Sequence, residues 1–252
     1  MTSRLVAPAS IIAAVLNASC APEAVPPAAP PPVAGAPDAH HHHHQHQHGA
    51  GGPHHPHDGP LVHRFENAEQ WVKEFDNPER DAWQKPADVI TALSISPGMT
   101  VADVGAGTGY FLPHLSRAVG PKGKVLGLDI EPGMVAYMAK RATREGLANV
   151  EARAAKLDDP VLPAGGVDRV LIVDTWHHIA ERPAYAAKLA AGLKPGGAVF
   201  VVDFKLDARK GPPPQHRLPP EQVAEELRKG GLVPQILDVK LPEQYIVAGR
   251  KQ

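Results

Sequence analysis

The chain has 252 residues, with 26 Lys and Arg against 27 Asp and Glu and a formal net charge of −1. Such a balance offers no basic footprint for nucleic acid, and the single cysteine excludes a disulfide scaffold and a cysteine-rich zinc module. No apolar run reaches the roughly 18 residues of a membrane-spanning helix.

The averages hide a split. Residues 1–60 hold 11 of the 28 prolines, 10 of the 15 histidines and, of the 26 Lys and Arg, only Arg4. A segment so poor in large apolar side chains cannot offset its ordering entropy, so the folded domain is expected in residues 61–252. Residues 1–20, MTSRLVAPASIIAAVLNASC, have the layout of a secretory signal: Arg4, an apolar stretch, then Ala18 and Ser19 before Cys20. The end of this stretch resembles a bacterial lipobox, in which the cysteine is lipidated, although Leu16 stands one position too far upstream and Asn17 takes its usual place. An ordinary export signal, or none, are the alternatives. On the lipoprotein reading the chain belongs to the cell envelope and touches a membrane only through Cys20; without a working signal it is expected in the cytoplasm. Residues 21–60 form a Pro/Ala-rich, then His-rich linker that favours extended polyproline conformations. His40, His41, His42, His43, His44, His46, His48, His54, His55 and His57 are candidate ligands for zinc, nickel or copper. The alternative is a solvated spacer without a metal role.

In chain order, residues 65–75 and 86–93 read as short amphipathic helices with a turn at 76–78 between them. A strand is expected at 100–104, a helix at 110–119, and a strand at 124–129. The helix expected at 132–145 has proline in its first turn and Gly146 behind it. Strands follow at 150–154 and at 167–173, the latter an apolar run suited to burial on both faces. A helix at 183–193 ends at KPGG, a strand spans 198–204, and a helix at 219–229 stops at Gly230 and Gly231. Strands at 233–241 and 244–249 are close enough to form a hairpin, which makes the last strand antiparallel. The alternation predicts an α/β fold: a mostly parallel sheet with helices on both faces. Ligands of such sheets sit beyond the carboxyl ends of the strands, near the reversal of strand order.

The stretch VADVGAGTGYF places Gly105, Gly107 and Gly109 directly after a strand and at the start of a helix. Glycine permits tight turns with positive φ and close approach of a ligand to the backbone. Asp129 ends the next strand, where a carboxylate can accept hydrogen bonds from both hydroxyls of a ribose. Dinucleotide sites use G-x-G-x-x-G. The spacing here is G-x-G-x-G, with Asp103 two residues ahead, which suits a ligand carrying positive charge rather than pyrophosphate.

The run D-V-G-A-G-T-G-Y resembles motif I of class I S-adenosylmethionine-dependent methyltransferases. Asp129 fits the family's acid after the second strand, LKPGG fits the turn before its fifth, and the terminal hairpin fits its reversed seventh. The stretch VLIVDTWHHI is similar to the methyltransferase type 11 and ubiquinone/menaquinone-methyltransferase-like group. The resemblance implies a Rossmann-like seven-stranded sheet in the order 3-2-1-4-5-7-6 and S-adenosyl-L-methionine as cofactor. It implies cofactor contacts at Asp103, Gly105, Ala106, Gly107, Gly109, Tyr110, Asp129 and Ile130. Asp158 is the candidate for the adenine amino group, because Lys156 stands where the family has an Asp or Asn, and Asp174 and Thr175 fall beside the methionine moiety.

Methyl transfer needs mainly alignment of donor and acceptor, and a base only where the acceptor must lose a proton. His177 and His178, after the fourth strand, and His216, before the last helix, are candidates for that base or for orienting an acceptor; packing of the loop is the other reading for the pair. A metal site of His177, His178 and His216 is a further alternative. Trp83, Gln84 and Tyr110 either close over the ligand or simply pack. No NPPY-like tetrapeptide follows the fourth strand, which argues against methylation of adenine or glutamine amino groups; a small-molecule acceptor is expected, with an unusual protein acceptor as the alternative. The competing functions are a non-catalytic cofactor-binding or metal-handling module and an NAD-dependent oxidoreductase. The sequence sets no oligomeric state.

Overall fold

The computed structural model describes residues 68–252. The readings that concern Cys20, the Pro/Ala segment and the histidine tract lie outside the described residues.

Seven strands make one sheet: β1 Thr100–Val104, β2 Lys124–Asp129, β3 Val150–Ala154, β4 Val167–Val173, β5 Leu193–Phe204, β6 Val233–Leu237 and β7 Gln244–Arg250. Their order is β3-β2-β1-β4-β5-β7-β6, as the sequence resemblance implies. Pairs from β3 to β5 are parallel, while β7 runs antiparallel to both β5 and β6. The reversal has a simple cause: the short connection from Leu237 to Gln244 cannot carry the crossover that a parallel partner needs.

The helices are α1 Ala68–Phe75, α2 Arg80–Gln84, α3 Pro86–Ala92, α4 Leu112–Val119, α5 Pro132–Arg144, α6 Arg182–Gly192 and α7 Pro220–Lys229. Side chains alternate across a strand, and the core divides accordingly. Ala102, Val104, Val170, Ile172, Val199 and Val201 face one way and pack with Leu189, Val223 and Leu227 of α6 and α7. Val101, Leu171, Phe200 and Val202 face the other way, toward Val89, Leu112, Leu115 and Met138 of α3, α4 and α5.

Four expectations change in detail. The connection expected between the first two helices contains α2, which Lys85 ends in a left-handed conformation at φ 49°. The helix expected from Tyr110 starts at Leu112, because the loop first closes a turn from Gly109 N–H to the Ala106 carbonyl at 2.8 Å. The strand expected at 198 begins at Leu193, since Leu193 already pairs with Val167 across an irregularity in β4. The strand expected to reach Leu241 stops at Leu237, where its pairing with β7 ends.

β1 pairs with β2 on one side and β4 on the other. The strand order therefore reverses between β1 and β4, and the carboxyl ends of β1, β2, β4 and β5 surround the crevice expected of this architecture.

Candidate functional site

The loop after β1 is built from glycine for a steric reason. Gly105 sits at φ +72°, and a Cβ there would fall 2.4 Å from Thr175 Oγ1 and Cγ2. The β1 and β4 ends can approach this closely only without a side chain. Backbone N–H groups of Gly105 and Ala106 both donate to the Leu128 carbonyl, at 2.8 and 3.0 Å. Gly107, at φ +56°, donates its N–H to Asp129 Oδ2 at 2.8 Å, and Glu131 N–H donates to Asp129 Oδ1 at 3.0 Å. Asp129 is thus oriented by both neighbours of the crevice, and each oxygen keeps a lone pair for a further donor. Burial raises its pKa, while the Glu131 and Gly107 N–H groups oppose that rise. Ile130 next to it leaves 44% of its surface exposed.

Two acids, one buried and one half-buried, mark the floor. Asp103 on β1 is 3% exposed, and burial pushes its pKa up to about 7 against the pull of the Arg80 guanidinium. Asp174 ends β4 with φ 52°, and its pKa is also pushed up to about 7, by burial first, with Arg80 again opposing. Asp174 keeps 22% of its side chain exposed, so water moderates its charge more than it does for Asp103. Thr175 is fixed by two bonds from its hydroxyl, to the Val173 carbonyl at 2.9 Å and the Gly105 carbonyl at 3.3 Å.

The α1–α2 segment closes over these acids. Arg80 lies 3.8 Å from Asp174 Oδ2, stacks 4.1 Å from the Tyr110 ring centroid, and donates from Nε and Nη2 to Gln84 Oε1 at 3.2 and 3.0 Å. Gln84 in turn donates to Gln244 Oε1, and Gln244 to Asp174 Oδ1, each at 2.5 Å. The Tyr110 hydroxyl donates to Asp81. Tyr110 and Gln84 therefore pack into the cover, and Trp83 stacks near Phe204 with ring centroids 5.8 Å apart.

A 3₁₀ turn, Trp176–His178, follows β4. Trp176 is fully buried and donates its indole N–H to Glu226 Oε2 of α7 at 2.8 Å. Arg182 donates to the other Glu226 oxygen at 2.9 Å. This clamp holds the turn that carries the histidine pair. His177 Nδ1 lies 2.9 and 3.1 Å from the two oxygens of Asp203 on β5. Burial lowers the His177 pKa, but the hydrogen bond and charge of Asp203, with the charge of Asp174, outweigh it and the net shift is upward.

Asp103, Gly105, Gly107, Asp129, Asp174, Thr175 and His177 are thus brought to one crevice. Asp158 is occupied differently: its side chain is 78% exposed and pairs with Lys188 of α6 at 3.0 Å, which lowers its pKa. His216 lies in a separate 3₁₀ turn, Pro214–His216. Among the described residues no three His, Cys, Asp or Glu side chains converge as a metal site requires, so the His177, His178 and His216 triad is not assembled.

Sequence reasoning missed Arg80, Asp203, Gln244 and Glu226. Asp203 had a legible signal, a carboxylate near the end of the apolar strand AVFVVDF. A charge there requires a partner. Glu226 likewise interrupts the buried face of α7, among Val223, Ala224 and Leu227. Arg80 had none.

Residues 101–197 match a protein family described as a methyltransferase domain. Over 103 residues the chain is 38% identical to nocamycin O-methyltransferase of Saccharothrix syringae, covering 41% of this chain and 37% of that enzyme. It is 32% identical over 148 residues to aklanonic acid methyltransferase DauC of Streptomyces sp. (strain C5), covering 59% and 62%. The chain thus spans less than two thirds of either curated relative. A solved SAM-dependent methyltransferase from Aquifex aeolicus is 30% identical with a TM-score of 0.69, over 74% of this chain and 99% of that one.

Proposed function

Because the chain belongs to the S-adenosylmethionine-dependent methyltransferases, we propose that its crevice at the ends of β1, β2 and β4 holds that cofactor and that the methyl acceptor is a small molecule. The observation that carries the reading is the charge set: Asp103 and Asp174, both pushed up to about 7, face one opposing guanidinium, Arg80. With both acids ionised, the three groups sum to one negative charge.

S-adenosylmethionine supplies a methyl group on a sulfonium and also carries an ammonium and a carboxylate, one net positive charge in all. The residues present fit such a group. Asp103 and Asp174 would hold its cations, Arg80 its carboxylate, and Asp129 the ribose hydroxyls. The cover formed by α1 and α2 would keep water from the site, which strengthens each of these interactions. Two relatives are named for small molecules, nocamycin and aklanonic acid, and this supports the acceptor class.

Calorimetry tests the assignment. Wild type should bind S-adenosylmethionine and S-adenosylhomocysteine, and Asp129→Ala should weaken both by about 1–3 kcal/mol through lost charge-assisted bonds. Arg80→Met should weaken S-adenosylhomocysteine about tenfold or more yet leave 5′-methylthioadenosine, which lacks the amino-acid end, unchanged. Unaltered affinity in the Asp129 variant would place the cofactor elsewhere.

A further inference from the structure

A groove of about 470 Å³ lies where the connection from β6 to β7 crosses the carboxyl end of β5. That volume falls within the range of small-molecule sites, about 300–1,000 Å³. Leu237, Val239, Leu241 and Pro242 give it apolar walls, and Lys205, the residue after β5, stands among them. This lysine is held in place. Its backbone N–H donates to the Glu243 carbonyl at 3.0 Å. Its ammonium donates to the Leu241 carbonyl at 2.6 Å and to the Pro242 carbonyl at 3.4 Å. An ammonium has three donors, so one remains.

No carboxylate among the described residues pairs with that ammonium, because the acids around it are engaged elsewhere. Glu243 is 4% exposed and accepts the Arg209 backbone N–H at 2.7 Å and its guanidinium at 3.0 and 3.2 Å. Asp238 pairs with Lys240 at the rim, where both are exposed. Asp207 faces water. Residues 205–210 and 237–245 carry four basic and three acidic side chains, which leaves one positive charge over. Lys205 is half-buried, and a charge in such a place calls for a counter-charge or water.

We propose that this groove is a second binding site, for a small amphipathic carboxylate whose apolar tail lies along residues 237–242 and whose head group takes the free donor of Lys205. The donors choose the head group. One ammonium with one free proton suits a monoanion. A phosphate asks for several donors or an arginine fork, and no arginine lines the groove. The site is separate from the cofactor crevice. Gln244 forms the wall between them: it lines the groove, yet its amide is turned to Gln84 and Asp174, at 2.5 Å each. Both glutamines are fully buried, so they close the space on the crevice side. The groove can therefore fill while the crevice is occupied, and its assignment does not rest on the methyl-transfer reading.

Octanoate, 1-octanol and octyl phosphate test this, each titrated into the full chain and followed by backbone amide NMR. Octanoate should saturate with a Kd of roughly 1 mM and move the amides of Lys205 and of residues 237–241. The alcohol, with the same tail and no charge, should bind about tenfold more weakly, and octyl phosphate should bind no tighter than octanoate. Lys205→Met keeps an apolar stem and removes the charge. It should weaken octanoate about tenfold and leave 1-octanol unchanged, whereas Lys240→Met at the rim should change octanoate by less than about twofold. Saturating S-adenosylhomocysteine should leave the octanoate affinity as it is. Shifts that do not saturate, or that centre outside the groove, would overturn the proposal. So would 1-octanol binding to wild type as tightly as octanoate, a comparison that needs no variant to fold. Tighter binding of octyl phosphate would replace the carboxylate by a phosphate, and displacement by S-adenosylhomocysteine would put the ligand in the crevice; either overturns the assignment.

Discussion

Replacing Asp103 by Asn is expected to stabilise the ligand-free protein above neutral pH while costing it the cofactor. Burial raises the Asp103 pKa from 3.8 to about 7 in the folded chain. For an acid shifted upward, the folded state binds the proton more tightly than the unfolded state does. That stabilisation is complete below about pH 4 and is lost as pH rises through about 7. Above this window wild type keeps a charge in a site that excludes water, and the neutral amide does not. The variant should gain about 1–3 kcal/mol at pH 8 and little at pH 4. In the proposed binding mode the same change removes a charge that would hold the cofactor's cationic end, worth about 1.5–3 kcal/mol, or roughly 10–100-fold in affinity. Urea midpoints at the two pH values and calorimetry with S-adenosylmethionine check both halves. A variant less stable than wild type at pH 8 would mean that Asp103 is held by interactions stronger than its burial. Retained affinity would mean that the cation sits elsewhere.

Gly105→Ala is expected to destabilise the fold by about 3 kcal/mol or more. A side chain at φ +72° costs about 1–2 kcal/mol by itself. The new Cβ would also lie 2.4 Å from two atoms of Thr175 and 2.8 Å from its Cβ. Thr175 cannot turn away freely, because its hydroxyl is tied to Val173 and to Gly105 itself. The strand ends must separate, and Asp174 moves with them, so cofactor affinity should fall alongside stability. Adding Thr175→Ala should recover the part due to the clash but not the part due to φ. Thermal unfolding of the two variants measures the division. A Gly105→Ala protein as stable as wild type would show that the β1 and β4 ends are not in contact in solution.

The cofactor half of the site was legible because its signals are local. Gly105 to Gly109 must turn a strand into a helix within a few residues, and only glycine tolerates the positive φ at Gly105, Gly107 and Gly109. Asp129 closes a strand whose pattern is plain. The cover and the pairing of His177 with Asp203 were not legible in that way. Arg80 meets Asp174, and Gln84 meets Gln244 across 160 residues of sequence. Nothing beside Arg80 in the chain marks it as a partner of β4. Asp158 is a similar case, since Lys188 of α6, 30 residues away, engages it and no local pattern announces that pairing.

By itself the sequence determined the order and type of the elements other than α2, and the reversal of β7. It also determined the glycine loop with its acid at the next strand end. Side-chain periodicity and turn chemistry act over a few residues and do not depend on distant parts of the chain. Tertiary structure alone decided which buried charges share a space. It set Arg80 against two acids and gave Asp203 to His177 from 26 positions away. It also tied the His177 turn to α7 through Glu226. A charge buried beside its partner is tolerated only where the whole sheet brings the two together. Such pairings therefore follow the packing of β4 against β5 and of α2 and α7 onto the sheet, which no short stretch of residues encodes.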